Sequence, residues 1–199
     1  MVARALLVLL ALVALAGCGE GDDQPQATGT QIALAEALRE GGVVLVMRHA
    51  KTVSATDEIE VLGDCSQQRN LSDEGRAQAR QIGRDIEALG VPVRDVRASP
   101  LCRAKETADL AFGSSEVARV LVSPGVTGTI EDDDRRIARL RGMTTAPAGS
   151  ATVLVTHTGN IGGAFDQSVL EGETVVLRDG KVLGIVAPED WKRLDEAAG

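Results

Sequence analysis

The chain has 199 residues, 44% of them hydrophobic and 25% charged, which suits one globular domain with a real core and is short for two. A formal net charge of −8 argues against a binder of the nucleic-acid backbone. Two Phe, one Trp and no Tyr argue against a base-stacking surface and leave the core to Val, Leu, Ile and Ala.

The opening MVARALLVLLALVALAGC carries one cation, Arg4, and then an unbroken apolar stretch from Ala5 to Gly17. It is short for a spanning helix and reads as a secretion signal. Leu15-Ala16-Gly17-Cys18 resembles a bacterial lipobox, which implies cleavage before Cys18 and lipid attachment there. Cleavage without lipid and an uncleaved anchor are the alternatives. The polar run GEGDDQPQATGTQ (19–31) then reads as a flexible tether. The expected organisation is a signal peptide over 1–17, a lipid-anchored tether over 18–31 and one domain over 32–199, held at the outside of a bacterial membrane. Such a compartment permits a disulfide between the two remaining cysteines, Cys65 and Cys102, but spacing alone leaves two free thiols equally open.

The domain opens with IALAEALREGG, whose apolar spacing predicts a helix ending at Gly41-Gly42. VVLVM (43–47) is a continuous apolar run, as a strand buried on both faces should be, and it delivers Arg48 and His49 at its tip. Residues 50–70 have no period and read as a long polar loop of the kind that is usually functional or disordered. LSDEGRAQARQIGRDIEALG (71–90) predicts a helix capped by Ser72 with acids in its first turn. VRDVRAS (93–99) reads as a strand, and PLCRAKETADLAFG (100–113) as a helix with a Ser cap and Pro at its first position. ARVLV (118–122) reads as a strand and EDDDRRIARLRG (131–142) as a helix. ATVLVTH (151–157) is an apolar strand that ends on the second of the two histidines and runs into a small-residue turn. TVVLRDGKVLGIVAP (174–188) is a hairpin turning at Asp179-Gly180, followed by a closing helix. The alternation predicts an α/β fold: a three-layer, mainly parallel open sheet with helices on both faces.

In such sheets ligands bind outside the carboxyl ends of the strands. Arg48, His49 and His157 stand at strand ends, Arg103 lies in the first turn of a helix that follows a third, and the free N–H groups of that helix start would sit beside them. Two guanidiniums match phosphate oxygens in bidentate fashion, and a neutral imidazole is a competent nucleophile toward phosphorus. The arrangement requires no metal, and two histidines so far apart in sequence are a weak zinc signature.

LVMRHAKT, NLSDEGRAQA, ASPLCRAKETA and VLVTHTGNI resemble, in that order, the successive motifs of the histidine phosphatase superfamily, the group that includes phosphoglycerate mutases and acid phosphatases. The Arg-His-Ala form is similar to the smaller phosphatases of its first branch. The resemblance implies a phosphoglycerate mutase-like fold and a phosphohistidine formed on His49, with Arg48, Arg103 and His157 completing the phosphate pocket and Thr52 adding a hydroxyl. It implies a small phosphorylated substrate, no cofactor and no nucleic acid. The sequence departs from the mutase pattern in having Lys51 and Thr52 where mutases often carry Glu, and in the shortness of the segment before Glu131. Glu131 is the candidate proton donor, with Asp132 to Asp134 and Glu173 competing, and acids interacting with a helix dipole are the simpler account of these side chains. A phosphatase is therefore expected, with a phosphomutase and a non-catalytic phosphate-ester- or partner-binding lipoprotein as alternatives. A Cys65–Cys102 bridge would pin the long loop over the pocket.

Overall fold

The computed structural model describes residues 28–54, 61–124, 126 and 133–197. These form helix α1 (Gly29–Glu40), strand β1 (Val43–Arg48), α2 (Asp73–Ala88), β2 (Val93–Ala98), α3 (Cys102–Phe112), β3 (Glu116–Val117), α4 (Asp133–Arg141), β4 (Ala151–Thr156), α5 (Thr158–Phe165), β5 (Thr174–Arg178), β6 (Lys181–Val186) and α6 (Asp190–Ala197). The six strands make one sheet in the order β3-β2-β4-β1-β5-β6. The pairs β1–β4, β2–β4 and β2–β3 are parallel, whereas β1–β5 and β5–β6 are antiparallel, so the sheet is mixed.

Helices cover both faces, as a strand apolar on both sides requires. Val43, Leu45 and Met47 of β1 point to a core shared with α1, α2, α3 and α6, where Leu38, Ile82, Ile86 and Trp191 are buried. Val44 and Val46 point the other way, to Leu140 of α4 and Ile161 of α5. The two-residue period of the strand thus divides a single apolar run between two cores.

Three local expectations change. The first helix begins at Gly29, not Ile32, because Thr28 and Gln31 form a reciprocal capping box. The strand expected over 118–122 is instead a two-residue edge strand, Glu116–Val117, followed by a 3-10 turn at Arg119–Leu121 that buries Val120 and Leu121. Their apolarity serves packing rather than a ladder, and period alone does not separate the two. The small-residue turn expected after His157 is the helix α5, whose glycines admit close neighbours: a Cβ on Gly163 would stand 2.6 Å from the Ile137 side chain of α4.

Candidate active site

The strand register brings the two histidines together. β1 and β4 run side by side and parallel, with Arg48 opposite Thr156, so His49 and His157 each stand one residue beyond the last matched pair. The main chain continues the ladder there, with His49 N–H donating to Thr156 O at 3.0 Å. The ring centroids lie 5.3 Å apart. On the other side of β4, Ala98 of β2 lies opposite Val155, which places Ser99 level with Thr156, one residue before His157, and the Ser99 hydroxyl is 2.8 Å from His157 Nε2. Arg103 follows on the first turn of α3 and is buried.

The hydrogen bonds fix how each ring can act. His49 Nδ1 is 2.9 Å from the carbonyl oxygen of Ala50. A carbonyl only accepts, so Nδ1 carries the proton and Nε2 keeps the lone pair. His157 engages Ser99 through Nε2, and its Nδ1 is buried without a partner among the described residues. When the Ser99 hydroxyl donates to Nε2, the ring proton sits on Nδ1. Arg48 donates from Nη1 to Val169 O at 2.9 Å, while its Nε is buried and unpartnered among the described residues. Unsatisfied buried donors are costly, and a tetrahedral oxyanion supplies acceptors for them.

Electrostatics keep both imidazoles neutral. Burial pushes the His49 pKa down to about 3, helped by the positive charges of Arg103, Arg48 and Arg69 and opposed by its bond to Ala50. Burial pushes His157 well below its ordinary value too, with His49 and the same arginines adding to the shift. Arg48 is lowered by desolvation, against the attraction of Glu171. A histidine held neutral in the fold but free to protonate when unfolded makes the unfolded chain bind more protons as pH falls below about 6.5. Stability should therefore decline on acidification from there toward the folded-state values, by about 1.4 kcal/mol per pH unit for each ring. Thermal melts at about pH 7 and about pH 5 should show a smaller acid loss for His157→Gln than for the parent chain. Equal losses would contradict the buried neutral ring.

Glu171, on the loop before β5, is a site residue that carried no sequence signal. Its Oε1 accepts from the Thr52 hydroxyl at 2.7 Å, lies 3.7 Å from Arg48 Nη2 and 4.0 Å from His49 Nδ1. It braces Arg48, and it occupies the Thr52 hydroxyl that was expected to reach phosphate. Arg69 was missed as well. It lines a cavity of about 670 Å³ together with Arg48, Lys51, Thr52 and Glu171. Neither residue falls in a periodic segment, so only the folded loops reveal them.

The other expected positions divide. Cys65 and Cys102 are joined in a disulfide with Cα atoms 5.7 Å apart, 37 residues apart in sequence. Closing such a loop is worth about 4 kcal/mol by chain entropy. The start of α3 differs from expectation. Leu101 is its cap residue and makes no side-chain cap bond, Ser99 turns to His157, and the Cys102 N–H donates to Gln68 Oε1 at 2.8 Å. Asp133 pairs with Arg136 at 2.7 Å and Glu173 accepts from Leu170 N at 2.7 Å. Cys18, Glu131 and Asp132 lie outside the described residues.

Residues 44–127 match the model of the histidine phosphatase superfamily (branch 1), a stretch that holds Arg48, His49 and Arg103 but not His157. The fold is similar to the protein histidine phosphatase SixA complexed with tungstate (18% identity, 74% of this chain and 98% of that one, TM-score 0.54). It is similar to a mutant phosphoserine phosphatase from Entamoeba histolytica in complex with phosphoserine (14% identity, 74% and 98%, TM-score 0.52). It is similar also to phosphoglycerate mutase from Thermus thermophilus (22% identity, 73% and 98%, TM-score 0.50). No curated protein matches the chain. At these identities the likeness is one of fold, and the mixed six-stranded sheet flanked by helices is the phosphoglycerate mutase-like α/β fold. The motif-bearing stretch thus matches the histidine phosphatase superfamily (branch 1) model, and the fold around it is of the phosphoglycerate mutase-like kind.

Proposed function

We propose that the protein is a phosphatase that hydrolyses a phosphate monoester or related phosphoryl compound through a phosphohistidine on His49. The observation that carries this reading is the meeting of two buried neutral imidazoles and two guanidiniums at adjacent strand ends, with a lone pair free on His49 Nε2. Arg48 and Arg103 hold the phosphoryl oxygens, and His157 Nδ1–H donates to the charge that grows on them. His49 Nε2 bonds to phosphorus as the bond to the leaving oxygen or nitrogen breaks, and the leaving group takes a proton. Water then attacks phosphorus, inorganic phosphate departs and His49 is restored. Nothing in these steps calls on a metal or cofactor.

The structural relatives named above are a protein histidine phosphatase and a phosphoserine phosphatase, which frames the substrate as a phosphoramidate or a phosphomonoester. A good leaving group suits a site that shows no evident general acid among the described residues. Incubating the full-length chain with an aryl phosphate should release inorganic phosphate. Isomerisation of a phosphorylated sugar acid without phosphate release would favour a mutase, and saturable binding of the ester without turnover would favour a binding protein.

The site is proposed to face the outside of a bacterial membrane, with the chain anchored by lipid on Cys18. The lipobox and the Cys65–Cys102 disulfide support this, since such bonds persist in oxidising compartments. Intact mass of the chain from the membrane fraction should show a lipidated Cys18 as the first residue; an unmodified Met1 start would contradict it.

A further inference from the structure

Arg69 is the unexplained charge beside the site. It is half-buried in the wall of the same cavity as Arg48, and its main-chain carbonyl lies 3.5 Å from Arg103 Nη1. Its guanidinium makes no hydrogen bond or ion pair among the described residues, although the chain holds 29 acidic residues against 21 basic ones. It is close enough to Arg48, His49 and His157 to oppose positive charge on all three. Arg48 and Arg69 line that cavity with Lys51 and the acids Glu74, Glu171, Glu173 and Glu189, none of which pairs with Arg69 among the described residues, while Arg103 reaches the Arg69 carbonyl; an anion between the guanidiniums turns their mutual repulsion into attraction.

Besides the Arg103 contact with the Arg69 carbonyl, the segment carrying Arg69 is held to α3 by two further ties. The first is the Cys65–Cys102 disulfide. The second is Gln68, whose Oε1 accepts from Cys102 N at 2.8 Å while its Nε2 donates to Val61 O at 2.8 Å. Asn70 adds a bond from Nδ2 to Cys65 O at 2.7 Å. Arg69 thus sits between a clamped residue on one side and the antiparallel bridge of Thr52 with Leu71 on the other.

We infer that Arg69 is a third guanidinium contacting the substrate's phosphoryl group, and that the Cys65–Cys102 disulfide holds it in place, so that affinity for substrate depends on the oxidised bond. This rests on the phosphatase reading. Arg69 binds oxygens that are charged in the ground state as well as in the transition state, so its loss acts chiefly on KM. A dithiol reduces the bond by taking up the disulfide as its own, leaving two thiols and a segment tied to α3 by Gln68 and by the Arg103 contact with the Arg69 carbonyl.

The test uses the full-length chain with aryl phosphate turnover and, separately, calorimetric titration with inorganic phosphate. Arg69→Ala should raise KM and weaken phosphate binding about tenfold, with kcat changed less than about threefold, and Arg69→Lys should recover part of the loss. The Cys65→Ser/Cys102→Ser chain, or the parent chain treated with dithiol, should weaken binding similarly, and adding Arg69→Ala to it should cost less than about twofold more. Gln68→Ala in the disulfide-bonded chain loosens the same segment more gently and should move KM in the same direction, which covers the case in which the cysteine variant fails to fold. A parent chain that neither turns over nor binds phosphate sinks the phosphatase reading and this inference together. An active parent with an unchanged Arg69→Ala sinks the inference alone, and so does an active parent whose KM survives both reduction and Gln68→Ala.

Discussion

His49→Ala is expected to abolish turnover of an aryl phosphate, lowering kcat by at least ~10³-fold, the scale of loss when a covalent nucleophile is removed. The reason is geometric. His49 Nδ1 is committed to the Ala50 carbonyl, which leaves Nε2 as the one ring nitrogen able to attack. Burial holds its pKa at about 3, so at neutral pH the lone pair is free without any base to remove a proton. No other described side chain is so placed: His157 Nε2 is engaged with Ser99. Substitution of His49 leaves Arg48 and Arg103 in position, so the variant should still bind inorganic phosphate. Retained turnover would show that the chemistry proceeds by direct attack of water, and the role given to His49 would be wrong.

Gly75→Ala is expected to cost about 3 kcal/mol or more of stability and to impair the site as well. Gly75 lies in the first turn of α2, and a Cβ there would overlap Lys51 O and stand 2.8 Å from Lys51 C. Both are main-chain atoms, so no side chain can rotate away and the helix must part from the loop. The same carbonyl accepts the Ser72 N–H at 3.1 Å, and Lys51 N donates to Gln78 Oε1 at 3.0 Å, so parting them also breaks the seam that sets the loop after His49. A displacement of about 1 Å at a reacting group can cost about 10²-fold in rate. Melting should fall by about 10 °C at this chain size, with a lower kcat/KM in the folded fraction. Gly29→Ala, where a Cβ meets nothing within 4 Å, is the control and should change little. A Gly75→Ala chain as stable as the parent would contradict the close approach of α2 to Lys51.

The sequence was most legible where one physical demand dominated. β1 and β4 are continuous apolar runs because both faces are buried, and that fixed the strand ends from which Arg48, His49 and His157 project. Ser72, Asp73 and Glu74 announced α2 because a helix start needs an acceptor and favours acids. Legibility failed where tertiary contact overrode local signal. Leu101, not Ser99, begins α3, since the Ser99 hydroxyl is drawn to His157, a contact across 58 residues. Val120 and Leu121 are apolar because they are covered by the second core, not because they pair in a sheet. Glu171 and Arg69 reach the site on aperiodic segments, so their proximity to His49 depends on the antiparallel return of β5 and on the disulfide at Cys102.

Turnover by this route passes through a covalent bond between phosphorus and His49 Nε2. Rapid acid-free quenching of the full-length chain during turnover, followed by peptide mass mapping, reads that bond directly. A base-stable, acid-labile phosphoryl group on the peptide holding His49, absent from His49→Ala, is the predicted result. Steady turnover in which no phosphoryl group is found on that peptide, under quenching that preserves an authentic phosphohistidine standard, would contradict it.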